Sequence, residues 1–224
     1  MVITSKLSDD KLIEAIYKAA EEYSKLIGNA YLVVGKNKNS DYFWFQCHFK
    51  KKYFMHLLGI DSTTLSADEF YDRCNEYNNG AEVGILISDC QPSRNHSRKT
   101  INEKSSCCAD MLRIQDAKYM KVGVKDKISE FVDFTYAYGS MATLGFKELG
   151  KTSSFPITLI PRSIDDFSSK KYKVIFVLEK KIEDDKYKKI LTEVKQGLCL
   201  ELYPELPNDL KEKIDVVKRA GLSH

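Results

Sequence analysis

Lys173-Val174-Ile175-Phe176-Val177-Leu178 is the stretch that decides the fold. It is nearly all apolar, so it reads as a central strand. Upstream, Ile157 to Ile160 ends at Pro161, and Met141 to Lys147 faces it across the chain. Gly139-Ser140 marks a turn before that. Glu130 to Tyr138 alternates, with Phe131, Asp133, Thr135 and Ala137 on one side and Val132, Phe134, Tyr136 and Tyr138 on the other. Sequential strands with short connections predict an antiparallel, strongly twisted sheet. A hairpin near the start adds to it. Ala30 to Val34 and Tyr42 to Phe49 flank the polar turn Lys36 to Ser40. In the second of these strands Phe43, Phe45, Cys47 and Phe49 alternate with Trp44, Gln46 and His48.

Helices are predicted on both sides of these strands. Ser8 starts one with apolar positions Leu12, Ile13, Ile16, Tyr17, Ala20, Tyr23 and Ile27, and Gly28-Asn29 stops it. Tyr53 to Gly59 reads as a short helical turn. Ser66 and Glu69 form a capping box for a helix that carries Phe70, Tyr71, Cys74 and Tyr77 and ends at Asn78-Asn79-Gly80. Ala81 to Ser88 suits strand or helix, Gln91 to Lys104 is polar and expected at the surface, and Ser105 to Met120 is helical with Met111, Leu112 and Ile114 inward. Two helices close the chain, Asp184 to Lys195 and Pro207 to Ala220. The expected fold is α+β: a twisted antiparallel sheet of about four strands packed with N-terminal helices, plus C-terminal helices. One domain is expected over 1–224, with a C-terminal helical extension over 184–224.

Composition excludes several classes. The 224 residues are 43% hydrophobic and 30% charged, as in an ordinary globular protein. No run of about eighteen apolar residues is present, and Met1 to Asp10 lacks the pattern of a signal peptide, so the chain is expected in the cytosol. Six cysteines at 47, 74, 90, 107, 108 and 199 form no C-x-x-C, which predicts reduced, mostly buried thiols. No cofactor or metal is expected: there is no P-loop, no dinucleotide fingerprint, no H-E-x-x-H and no cluster of carboxylates. The pairs Asp9-Asp10, Asp165-Asp166 and Asp184-Asp185 are better explained as helix starts. A net charge of +3, from 35 basic and 32 acidic residues, permits nucleic-acid binding only where the charges cluster.

Three stretches carry a resemblance. They are Phe49-Lys50-Lys51-Lys52-Tyr53-Phe54-Met55-His56-Leu57-Leu58-Gly59-Ile60 followed by Phe70 to Cys74; Ala142 to Lys147; and Pro156 to Ile164 leading into Tyr172 to Ile175. In order and spacing they resemble the fourth group of the phage-type Barnase–EndoU–colicin–RelE-like nucleases, predicted nucleases of phages and mobile elements in Gram-positive bacteria. The resemblance covers about residues 28–190. Its most specific part is F-K-x-x-x-F-x-H-L-x-G-I. The family pattern usually has Thr where this chain has Leu58. It implies a helix packed on a twisted four-stranded antiparallel sheet, and metal-independent cleavage of RNA, often tRNA.

Cleavage of that kind needs a base for the ribose 2′-OH, an acid for the leaving 5′-oxygen and cations for the phosphorane oxygens. His56, just after a lysine triplet and beside Tyr53, is the leading acid–base candidate; the competing view is an inert capping histidine of the turn before Gly59. Lys50 and Arg162 join it as catalytic candidates, Lys50 in the densest basic run beside aromatics and Arg162 at a strand end. Lys52, Tyr53, Thr135, Tyr136, Ser140 and Thr143 are candidates for binding the substrate, although one face of the hairpin around Gly139 must be core. His48, mid-strand, is a weaker candidate with solvent exposure as the competing view, while His96 and His224 are weaker still. The basic C-terminal third, from Lys170 to Lys195, is partly cancelled by Glu179, Glu183, Asp184, Asp185 and Glu193 and reads as a solvated face. The first hypothesis is an endoribonuclease, toxic to its host, with RNA as substrate, an antitoxin or immunity protein as partner and no membrane. The alternatives are a non-catalytic module on the same fold that binds RNA or a protein, and a regulatory protein of a mobile element.

Overall fold

The computed structural model describes residues 7–94, 96–127, 134–148 and 153–215. Helix α1 (Asp9–Ser24) opens it, with Asp9 and Asp10 in the first turn where backbone dipoles favour negative charge. Strands β1 (Asn29–Lys36) and β2 (Tyr42–His48) form the predicted hairpin, in register from Ala30–His48 to Lys36–Tyr42. A 3-10 turn over Lys51–Tyr53 runs straight into the short helix α2 (Phe54–Leu57). Then come β3 (Ile60–Asp61), α3 (Ala67–Asn78), β4 (Gln91–Pro92) and α4 (Arg98–Leu112). Ser66 and Glu69 cap α3 reciprocally, as predicted. Strands β5 (Lys121–Val124), β6 (Tyr136–Gly139), β7 (Thr143–Glu148), β8 (Ser154–Ile160) and β9 (Lys171–Lys181) follow. The described chain ends with β10 (Lys189–Glu193), α5 (Leu198–Leu202) and α6 (Asn208–Lys211).

The expected sheet of about four antiparallel strands is overturned. Seven strands close into a mixed barrel in the order β1-β2-β8-β7-β6-β5-β9, and β9 pairs back onto β1. The reason lies in β9, which is eleven residues long and presents two usable edges. One edge takes β1 from Lys36 to Asn29, and the other is shared by β5 near Lys171 and β10 near Leu178. A sheet recruited on both sides of one long strand curls until its remaining edges meet. Those edges are β2 and β8. They meet in parallel at Cys47–Ser154, where Ser154 Oγ also donates to the Gln46 carbonyl at 2.7 Å.

Alternation sorts the two faces of the barrel wall. Tyr31, Val33, Phe45, Cys47, Leu144, Phe146, Leu159, Tyr172 and Val174 pack together inside. Leu32, Val34, Phe176 and Leu178 point outward, where Tyr187, Cys199, Leu206, Leu210 and Ile214 cover them. Each such side chain removed from water contributes about 1.5–3 kcal/mol. The N-terminal helices join the inner core through Tyr23 of α1, whose ring lies 5.5 Å from Phe49 and 5.2 Å from Phe54. All six cysteines are free, five of them buried.

Other expectations also change. Asp184 to Lys195 is not a helix, because Ile190 and Thr192 register against Leu178 and Val177 of β9 and make the segment a strand. Pro207 to Ala220 is helical only over Asn208–Lys211, and residues 216–220 lie outside the described residues. Gln91 to Lys104 is a surface segment only in part, since α4 begins at Arg98 behind a Ser97 cap and buries Ile101, Asn102 and Lys104. Ala81 to Ser88 is irregular up to a 3-10 turn at Ile87–Asp89. Of the strand expected over Glu130 to Tyr138, residues 130–133 lie outside the described residues and β6 begins at Tyr136. Among the described residues no helix is long and apolar enough to cross a membrane.

Candidate functional site

The seam where β2 meets β8 gathers several of the candidate residues. Beyond His48 the chain leaves the sheet, and the Tyr23 hydroxyl of α1 fixes this exit by donating to the Lys50 carbonyl at 2.8 Å. The helical turn that follows sorts its side chains by period. Phe54, Met55, Leu57 and Leu58 are buried, whereas Lys52 and His56 are exposed and Tyr53 is half-buried. Positions three and four apart share a helical face, so Lys52, Tyr53 and His56 point the same way. Gly59 ends the turn at φ +70°, a conformation that favours glycine.

Phe155, at the start of β8, is the hub. Its ring centroid lies 3.9 Å from that of His48 and 5.4 Å from that of Tyr53, and the Lys50 ammonium sits 4.6 Å from it. Lys52 places its ammonium 5.1 Å from the Tyr53 ring. Phe155 is itself buried, so it serves as the platform on which His48, Lys50 and Tyr53 are arranged. The His48 Nδ1 shares a 2.6 Å hydrogen bond with the Ser153 hydroxyl. Burial, and then the Lys50 charge, push the His48 imidazole down to about 4, so it is neutral at neutral pH. Lys51, between the two lysines of the cluster, is instead tied to Asp72 at 2.6 Å.

The remaining predicted residues divide. Thr135 and Tyr136 lie on the barrel wall near the start of β6. Thr135 Oγ1 accepts from the Glu148 amide at 3.4 Å, and Tyr136 stacks on Phe45 at 5.2 Å with burial raising its phenol. Ser140, Thr143 and Arg162 sit together at the far end of β8. Thr143 is fully buried and donates to the Arg162 carbonyl at 2.9 Å, so it faces the core and not a ligand. Ser140 lends its carbonyl to the Ile164 amide at 3.2 Å. The Arg162 guanidinium bonds Asp166 at 3.0 Å and lies over Phe167 at 5.6 Å. Strand β8 from Phe155 to Ile160 separates this group from the hub by roughly 16 Å, at about 3.3 Å per residue. The structure thus joins Lys50 and Tyr53 at Phe155 and Lys52 to Tyr53, sets His56 on the same face of the turn, and leaves Arg162 apart from them.

Sequence reasoning did not bring Phe155 and Ser153 to His48. The contact that matters joins residues 105 apart in the chain, and no local pattern announces it. Among the described residues no three His, Cys, Asp or Glu side chains gather as a metal site.

Comparison with known proteins places these features in a family. Residues 15–196 match the phage-Barnase-EndoU-ColicinE5/D-RelE like nuclease4 family over most of the chain, from within α1 to just past β10. No curated protein and no solved structure matches the chain. The match encloses the whole barrel and the His48–Phe155 seam, and the chain belongs to this phage-associated nuclease family.

Proposed function

We propose that the chain is a metal-independent endoribonuclease that works at the seam of β2, α2 and β8. The observation that carries this reading is the packing of His48, Lys50 and Tyr53 around Phe155, with His56 on the next helical turn. These are the groups that cleavage through a ribose 2′-OH uses. A neutral imidazole takes the 2′-OH proton as that oxygen attacks phosphorus, and a second acid returns a proton to the departing 5′-oxygen. With its Nδ1 held by Ser153, His48 has Nε2 left to act as the base. His56, exposed beside Lys52 and Tyr53, serves as the partner acid. Lys50 and Lys52 stabilise the crowded phosphorane oxygens, and the half-buried Tyr53 ring offers a face to a base. DNA lacks the internal nucleophile, so the substrate is RNA. A tRNA target, a toxic role in a host cytoplasm and an antitoxin partner extend the same reading.

The test is direct. Wild-type and His56→Ala protein are incubated with total bacterial RNA in EDTA. Discrete cleavage by the wild type, lost in the variant, is expected. Equal cleavage by both would move the chemistry away from His56. Two folded proteins that cleave nothing would leave an RNA- or protein-binding module.

A further inference from the structure

Lys104 is buried in α4 with 4% of its surface exposed, and among the described residues no carboxylate pairs with it. Its Nζ lies 3.0 Å from His96 Nε2. Burying an ammonium without a counter-ion is costly, and such a group is usually kept for a purpose. At that distance one nitrogen donates a hydrogen bond to the other. The purpose is visible on the other side of His96. Its ring covers Gly59, and a methyl group added at Gly59 would collide with His96 Cδ2. The same segment straps the turn through its backbone, since Ser93 N–H donates to the Gly59 carbonyl at 3.0 Å and His96 N–H to the Ser93 carbonyl at 2.7 Å. Gly59 N–H in turn donates to the carbonyl of His56 at 3.0 Å.

We propose that Lys104 and His96 are positioning residues for the His56 turn: the buried lysine holds the imidazole against Gly59 and so fixes the direction in which α2 presents His56, Tyr53 and Lys52. A helix of four residues has little stiffness of its own, so its orientation comes from what it packs on: the core seats Phe54, Met55 and Leu57, and the Gly59 end is held by His96. Only the kinetic part of the test rests on the nuclease reading.

The full-length chain is compared with His96→Leu, Lys104→Met and His96→Gln. The glutamine amide oxygen takes over as acceptor for Lys104. The first measurement is the NMR signature of the His56 imidazole and its contacts to the Tyr53 ring. His96→Leu and Lys104→Met are expected to displace it, and His96→Gln to restore it. The second is RNA cleavage in EDTA, where the same two variants should lose about tenfold or more in kcat/KM, chiefly in kcat, because misplacing His56 costs the chemical step. His96→Leu leaves the ammonium unpaired; should it fail to fold, Lys104→Met decides. A His56 signature unchanged in folded variants would overturn the proposal. A displaced signature in a protein that cleaves no RNA would sink the nuclease reading and keep the clamp.

Discussion

The two ends of β8 both carry cations, and they hold them differently. At the Phe155 end Lys50 rests on the Phe155 ring and Lys52 on Tyr53, and among the described residues neither meets a carboxylate. At the Ile160 end Arg162 pairs with Asp166, and Lys121 and Lys171 share Asp165 at 3.4 and 3.0 Å. Exposed pairs of that sort add little stability, yet they cancel charge where a phosphate would need it. An ammonium over a ring keeps its full charge and a defined position. The number of basic residues along the sequence therefore says less about phosphate binding than what each one already touches.

The largest expected effect falls on His56. His56→Ala should lower RNA cleavage by roughly 100- to 10,000-fold, the usual worth of a positioned acid or base, as read by initial rates on a defined RNA. A loss below about threefold would remove this end of β8 from the chemistry.

Next is the buried lysine behind the turn. Burial lowers Lys104 to about 8, below its unfolded value, so the unfolded chain binds the extra proton between those values. The penalty is full below about pH 8 and is relieved as pH rises toward about 10.4. Urea unfolding should show Lys104→Met more stable than wild type at neutral pH, by up to about 3 kcal/mol, with the gap closing as pH rises through that window. A gap that does not change with pH would mean that Lys104 is not buried as a cation.

Phe155→Leu keeps apolar volume and removes the ring platform. Cleavage should fall by about tenfold, with a stability loss under about 1.5 kcal/mol. Equal loss of both would make Phe155 a core residue only.

A smaller shift is expected at His48. Its imidazole, held down to about 4 by burial and then by Lys50, is depressed relative to its unfolded value near 6.5. Stability linked to it is present above about pH 6.5 and is lost as pH falls through about 4. In Lys50→Met the titration followed by NMR should move upward, by less than about one pH unit because burial acts first.

Much of the fold was legible in local pattern. The β1–β2 hairpin, the Ser66–Glu69 capping box, the turn ending at Gly59 and the strands around Leu144, Leu159 and Phe176 all follow from periodicity and stop signals. Closure of the barrel was not, because it rests on β1 finding β9 and β2 finding β8 across more than a hundred residues. The Lys189–Glu193 strand was hidden for a related reason. Its charged sequence suits a helix, and only the edge of β9 makes it a strand. Polar composition misled again at Asn102 and Lys104, which are buried. For the site, the Lys50–His56 stretch was readable as basic residues beside aromatics. The hub was not, since His48 and Phe155 meet only after the seam forms.

One measurement tests the placement of the chemistry most directly: cleavage of the same RNA in EDTA by Lys50→Ala and Arg162→Ala, side by side with wild type. Lys50→Ala should lose about tenfold or more, chiefly through weaker transition-state stabilisation, while Arg162→Ala stays within about twofold. The reverse pattern, with Arg162→Ala crippled and Lys50→Ala active, would contradict the placement at the seam and move the site to the other end of β8.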